Sequence, residues 1–321
     1  MRYRVLGRTG LRVSELGVGG HEYRRWLPGR RDVKEFMRTQ PGRSRLIERA
    51  LEAGVNYFDT TYIEEVESLG LALKEIGPSR EDVHVSIMLF KPFNLMAENP
   101  ASKWSKLIIS DVEKRLSLLN ADYADVLTIY SPESNFSHER LEAMLETFNL
   151  LKEDGKVRYL GASSHNLQFL AELMRRYNCF DVVMVRYNYH LQEARKVIFP
   201  VAKALRVGVV VMKPFSWPYY GIPFMRFGPV EGEKGDYTPA QTCLRWILSS
   251  PEVATVVPGM NSLDEFEENL AAITEEGEFD EEVLKRYLEV ALGPKGRDKL
   301  KEMLNDPDMD IRYYAERALS T

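Results

Sequence analysis

The chain has 321 residues, 44% of them hydrophobic and 28% charged, a balance that supports a sizeable core and excludes a disordered or fibrous chain. Its 43 Lys and Arg against 48 Asp and Glu give a net charge of -5, so no overall basic field favours nucleic acid. The 2 cysteines, Cys179 and Cys243, have neither CxxC spacing nor a histidine cluster nearby, so neither a disulfide framework nor a metal site is expected.

The chain begins "MRYRVLGRTG", charged and with no apolar run behind it, and no stretch approaches the roughly 18 apolar residues of a membrane span. A cytoplasmic protein with no membrane partner is the expectation. Eight short apolar runs rich in Val, Ile and Tyr follow: "SELGVGG", "GVNYFD", "DVHVSIML", "ADVLTIY", "KVRYLGASS", "FDVVMVRYN", "VGVVVMKP" and "EVATVVPG". Between them, stretches such as Leu107 to Leu119, Arg140 to Asp154 and Pro239 to Ser249 place apolar residues three and four apart, the pattern of amphipathic helices. Strands apolar on both faces and separated by helices imply a parallel sheet covered by helices. Eight such units predict an α/β chain of the (β/α)8 TIM-barrel type. An open doubly wound sheet would show GxGxxG after its first strand, and "GVGGH" at Gly17 to His21 is instead a glycine-rich strand end, read as room for a ligand or a close backbone approach.

Two segments depart from this repeat. Tyr23 to Arg45 carries eight Arg and Lys against two acids, at the end of the first strand, where a barrel has its functional rim. It reads either as a solvated loop with a short helix or as a lid for an anionic ligand. The tail from Glu281, containing "MLNDPDMDIRYYAERAL", resembles one HEAT-type helical hairpin, which cannot stand alone and is expected to pack on the barrel or mediate a homo-oligomer contact. The expected division is therefore a barrel over 1–280 and a helical extension over 281–321.

"YRVLGRTGLRVSELGVGG", "GVNYFDT", "GKVRYLGASS", "VRYN", "CLRWILSSPEVATVVPG" and "EEN" resemble, in this order, motifs of the aldo-keto reductases over about Met1 to Ala272. The resemblance implies a barrel with an N-terminal hairpin that binds NAD(H) or NADP(H) across the strand C-termini. It also implies hydride transfer to a carbonyl by an Asp, a Tyr, a Lys and a His. A phenol with an ordinary pKa of about 10 needs a neighbouring cation to protonate an alkoxide at neutral pH, which is the lysine's part in that set.

Asp59 matches the family acid. An ungapped count for the tyrosine lands on Glu64, whereas alignment back from "EVESLGLAL" lands on Tyr62, so Tyr62 is the candidate proton donor; its other reading is an aromatic plug at a strand end. Met88 stands at the lysine position, with Lys91 three residues further on as a solvated or inward-folded substitute. Tyr130 stands at the histidine position, where a phenol still offers a hydrogen bond. For the cofactor, the resemblance points to Ser163 and Ser164 on the nicotinamide amide, Met184 and Met212 beside the ring, Lys213 toward phosphate, and Glu268 with Asn269 on the adenine. Gly259, Asp264 and Glu265 replace the cations that would hold a 2'-phosphate, and like charges there disfavour NADP(H).

The leading expectation is thus an oxidoreductase acting between a nicotinamide cofactor and a small carbonyl or alcohol substrate, weak on standard aldehydes because the tetrad is incomplete. One alternative is a non-redox dehydratase or isomerase that uses Asp59, Glu64, Tyr130 and Lys91 on a polar or anionic substrate. Another is a binding or scaffold protein that has kept the barrel and lost the chemistry.

Overall fold

The chain opens with an antiparallel hairpin, β1 (Tyr3–Val5) and β2 (Arg12–Ser14). Helix α1 (Val33–Glu52) follows; then strands and helices alternate: β3 (Tyr57–Thr60), α2 (Ile63–Ile76), β4 (His84–Phe90), α3 (Pro92–Ala97), α4 (Trp104–Leu119), β5 (Ala124–Tyr130), α5 (His138–Glu153), β6 (Val157–Ser163) and α6 (Leu167–Tyr177). The series continues with β7 (Val182–Arg186), α7 (Glu193–Val197), α8 (Phe199–Leu205), β8 (Gly208–Met212), α9 (Pro239–Leu248), β9 (Val253–Val257) and α10 (Leu263–Thr274). In this computed structural model residues 1–20, 33–219, 221–227, 237–275, 277, 279–307 and 309–320 are described. The cluster of Arg24, Arg25, Trp26, Arg30 and Arg31 lies outside the described residues.

Strands β3 to β9 form one parallel sheet in chain order. The first apolar run completes it with isolated bridges, Leu16 to Val256 on one side and Val18 to Phe58 on the other. Gly17 N–H donates to Val256 O at 2.8 Å and Asp59 N–H to Val18 O at 2.9 Å, so the sheet closes through residues 15–18. A Cβ on Gly17 would lie 2.9 Å from both Tyr57 O and Val257 Cγ1, which is why this link is glycine-rich: the backbone is drawn close to the two flanking strands. Of the two readings of "GVGGH", the close backbone approach is therefore present at Gly17.

Alternation along each strand separates two cores. Phe58, Ile87, Leu127, Ile129, Leu160, Val183, Val185 and Val209 pack outward against the helices, while Tyr57, Met88, Val126, Met184, Val210 and Val257 fill the barrel interior. The hairpin plugs the bottom of that interior with Leu6 and Val13. Gly7, at φ 53°, brings the plug so near β8 that a Cβ would sit 2.2 Å from Gly208 N, and Tyr159 Oη donates to Thr9 O at 2.7 Å. At the same end Asp125, fully buried, receives Arg80 Nη2 and Val85 N–H, each at 2.9 Å, and Arg158 Nη1 at 3.1 Å.

Beyond the barrel, α11 (Glu281–Leu292), α12 (Pro294–Met303) and α13 (Met309–Leu319) form a helical tail. Tyr287 meets Phe224 edge-on at 5.4 Å, and Ala291, Leu300, Met303, Ile311 and Ala315 share a small core with Ile222 and Phe227. The tail therefore braces the loop between β8 and α9, which leaves the C-terminal end of the barrel. Among the described residues no helix is long and apolar enough to cross a membrane.

Candidate active site

Inside the barrel, the inward residues of β3 and β4 set a polar patch among apolar ones. Asp59 is 6% exposed and Tyr57 fully buried, and neither Asp59 Oδ1 nor Tyr57 Oη has a hydrogen-bond partner. Burial pushes the Asp59 carboxyl up to about 7; the neighbouring Ser86 hydroxyl works against this, and the Glu65 charge adds to it. Burial likewise drives the Tyr57 phenol far above its ordinary value, with the Asp59 charge acting in the same direction. Met88, 2% exposed, is part of the apolar layer that includes Tyr57, so a thioether occupies the place the resemblance gives to a lysine.

Tyr62 sits higher, at the start of α2. Glu65 Oε2 accepts the N–H groups of Thr61 at 2.7 Å and Tyr62 at 3.1 Å, half of a capping box that fixes this turn. The Tyr62 ring lies 6.1 Å from Phe90, whose other neighbour is Tyr130, stacked at 4.9 Å and 17°. Phe90 thus stands between the two tyrosines and is 45% exposed, an aromatic surface at the end of β4. Lys91 adopts a left-handed backbone, φ 50°, with Nζ 5.6 Å from the Phe90 ring centroid. Its ammonium there faces an aromatic ring.

The ends of β5 to β8 bring four further groups together. Tyr130 Oη and Lys213 Nζ lie 3.4 Å and 3.3 Å from the same atom, His165 Nε2, and the Tyr130 and His165 rings meet edge-on at 5.6 Å. Burial holds the imidazole neutral, its pKa lowered to about 3, with the charges of Lys213 and Arg186 pressing the same way. Burial raises the Tyr130 phenol; Ser131 lowers it, the Glu133 charge raises it, and Arg186 lowers it. Lys213 and Ser131, at φ 58° and 53°, leave their strands in the left-handed region, a cost of order 1 kcal/mol or more that non-glycine residues concentrate at working sites. Asn188 secures this turn: Nδ2 donates to Lys213 O at 3.0 Å while Oδ1 accepts His190 and Leu191 N–H groups at 3.1 and 2.9 Å.

The positions assigned to a cofactor divide into available and committed groups. Ser163, on the inner face of β6 beside Met184, is fully buried and its Oγ has no partner. Met212 ends β8 at the mouth, 9% exposed. Ser164 Oγ instead donates to Glu133 at 3.0 Å and accepts Asn166 N–H at 2.8 Å. Glu268 Oε1 accepts the Thr238 hydroxyl at 2.6 Å, tying α10 to the start of α9, and Asn269 is 3% exposed. Glu265, in the first turn of α10 with Asp264, accepts Asn261 N–H at 2.7 Å, so a carboxylate is fixed at that helix start. The residues present suit a nicotinamide nucleotide: a carboxamide near Ser163 would satisfy an orphaned hydroxyl, and Lys213 stands at the mouth as a cation.

Sequence reading missed His165, Arg186 and Phe90. Each could have been found from its place at or just past the C-terminal end of a predicted barrel strand, where catalytic groups collect.

Comparison with known proteins agrees with this architecture. The model of the Aldo/keto reductase family matches residues 36–218 and 230–291. A putative voltage-gated potassium channel subunit beta of Schizosaccharomyces pombe is 24% identical over 353 residues, covering 97% of this chain and 95% of that protein. L-galactose dehydrogenase of Arabidopsis thaliana is 25% identical, covering 85% of this chain and 88% of its own. An aldo-keto reductase of Bacillus halodurans in its holo form superposes with a TM-score of 0.67 at 23% identity, over 89% of this chain and 95% of that one, a likeness of fold.

Proposed function

This chain belongs to the aldo/keto reductase family, and from that premise we propose that it transfers hydride between a nicotinamide nucleotide and a carbonyl or alcohol substrate, with Tyr130 as the group that exchanges the proton. The observation that carries this reading is the placement of the Tyr130 hydroxyl against His165 Nε2, itself 3.3 Å from Lys213 Nζ. Family membership favours it over a dehydratase, an isomerase or an inactive scaffold.

The chemistry that a bound nicotinamide supplies is the hydride. The remaining work falls to the chain. Ser163 and Lys213 would hold the nucleotide. In the direction of reduction, Tyr130 Oη donates to the carbonyl oxygen and its proton passes to the developing alkoxide. The phenolate left behind faces Arg186 and Lys213, two cations that take the part of the missing tetrad lysine. Burial still leaves Tyr130 a weaker acid than a free phenol, so slow reduction of simple aldehydes is expected. Asp59, walled off beside Ser86 and short of a cation, supports the site as a largely protonated carboxyl below pH 7 and takes no part in the transfer. On the same reading, residues 1–280 are the catalytic barrel and 281–321 an extension that braces the β8–α9 loop.

The test is titration of the protein with reduced and oxidised nucleotides by fluorescence, followed by single-turnover reduction of an aldehyde by the wild type and Tyr130→Phe. Binding in the micromolar range with turnover lost in the variant is the expected result; no binding at millimolar nucleotide overturns the assignment.

A further inference from the structure

Arg186 is the last residue of β7 and shares the inward face with Val182 and Met184, which belong to the interior core. Its side chain is therefore directed to the mouth, where its charge acts on both His165 and Tyr130. It is half-buried, yet makes no hydrogen bond, ion pair or ring contact with any other residue among those described. The other arginines at the ends of the barrel differ: Arg80 and Arg158 share Asp125, Arg8 holds Asp181, and Arg43 donates to Gly19 O at 3.0 Å. A guanidinium taken partly out of water without an acceptor is costly unless a ligand provides one. Glu133, the acid whose charge acts on the same phenol, has Oε2 engaged with Ser164.

We propose that Arg186 is the anchor for a carboxylate on the substrate, so that the natural substrate class is a carbonyl compound, or the matching alcohol, that carries a carboxylate. This rests on the oxidoreductase reading of the same site. The planar fork of Arg186 binds the carboxylate side-on, as arginine does with planar oxyanions. Lys213, 3.3 Å from His165 Nε2, adds a second positive charge at the same mouth. His165, kept neutral by burial and by the charges of Lys213 and Arg186, adds no third positive charge there. Phe90, exposed and stacked on Tyr130, forms the apolar wall along which the body of the substrate lies, with its carbonyl at Tyr130 Oη. The site then discriminates by charge at one end and by proton donation at the other.

The chemical pair that tests this is benzaldehyde against 4-carboxybenzaldehyde, the same aromatic aldehyde without and with a carboxylate. Calorimetric binding to the protein saturated with oxidised nucleotide, which needs no turnover, is measured for the wild type, Arg186→Gln and Arg186→Lys, together with kcat and KM using the reduced nucleotide. The expected result is a wild-type preference for the carboxylated aldehyde of about 10- to 100-fold, the usual range for a charge-assisted contact. Arg186→Gln abolishes the preference through the Kd and KM and, because Arg186 also faces the phenol, lowers kcat for both aldehydes alike; Arg186→Lys restores part of each, and neither changes binding of the nucleotide by more than about 2-fold. Equal affinity for both aldehydes in the wild type overturns the proposal. So does loss of nucleotide affinity in Arg186→Gln, which would assign Arg186 to the cofactor's phosphates. Arg186-dependent binding of the carboxylate without turnover leaves the anchor standing and removes the oxidoreductase reading instead.

Discussion

Tyr130 and Lys213 converge on one atom: Oη and Nζ lie 3.4 and 3.3 Å from His165 Nε2. An ammonium has donors and no acceptor, so Nε2 must accept and the ring proton must reside on Nδ1. With its pKa lowered to about 3 by burial and the two cations, the imidazole stays neutral through the physiological range. Nitrogen NMR should therefore show His165 as the Nδ1–H tautomer with no titration between about pH 5 and 9. A midpoint near 6.5 would show that the cations do not face it.

Removing the phenol should separate chemistry from binding. Tyr130→Phe keeps the stack on Phe90 and should lower kcat by about 10²- to 10⁴-fold with little change in nucleotide affinity. Replacing His165 by Ala should have a smaller effect, because the charge of Arg186 still acts on the phenol. If Tyr62→Phe instead gives the large loss, the proton donor lies on the other side of Phe90.

Asp59 should make the protein less stable as the solution becomes alkaline. Its folded-state value of about 7 is above the ordinary 3.8, so its contribution is fully present below roughly pH 4 and is lost as pH rises through 7. Asp59→Asn removes that loss. The variant should exceed the wild type in stability at pH 8 by a few kcal/mol, since each tenfold weakening of the acid on folding is worth about 1.4 kcal/mol, and should match it near pH 4. Denaturant midpoints across this range measure the difference.

Asp125 should act with the opposite sign. Burial opposes its charge, but His84, Arg80 and the Val85 N–H prevail and hold the carboxyl below its ordinary value. A depressed value gives stability that is present above the unfolded pKa and fades as pH falls through the folded one. Asp125→Asn should cost about 2 to 3 kcal/mol at pH 7 and progressively less below pH 4. A cost independent of pH would mean that packing, and not charge, dominates there.

Nucleotide choice follows from the start of α10. Glu265 is fixed by Asn261 N–H at 2.7 Å with Asp264 beside it, so a 2'-phosphate in that place would meet acids. NAD(H) should bind at least as tightly as NADP(H), and Asp264→Arg should move the ratio toward NADP(H) in a salt-dependent manner. A strong wild-type preference for NADP(H) would place the adenosine elsewhere.

The strand periodicity was legible throughout: seven of the eight apolar runs are strands of one sheet, because residues buried on both faces read as unbroken apolar segments. The first run closes the barrel by bridges alone, since its glycines favour backbone contact over a regular ladder. In the site, Asp59 and Tyr130 could be read from family motifs. His165 was hidden behind Ser163 and Ser164, to which the motif directed attention, and Arg186 behind the aliphatic run that it ends. What no pattern in the chain conveys is convergence: Tyr130, His165, Arg186 and Lys213 belong to four strand ends far apart in sequence, and only barrel closure sets them side by side.

Closure through residues 15–18 also constrains the order of events during synthesis. Glu15 O receives Val256 N–H at 2.9 Å and, across a separation of 240 residues, the Thr255 hydroxyl at 3.4 Å. One of the first segments to leave the ribosome thus lacks one of its two neighbouring strands until nearly the whole barrel has been translated. Until then the growing sheet carries two open edges, at residues 15–18 and at the newest strand, each able to recruit another chain. A chain that stops before Val253 keeps both edges for good, so premature termination in this protein gives a self-associating fragment and not a shorter barrel.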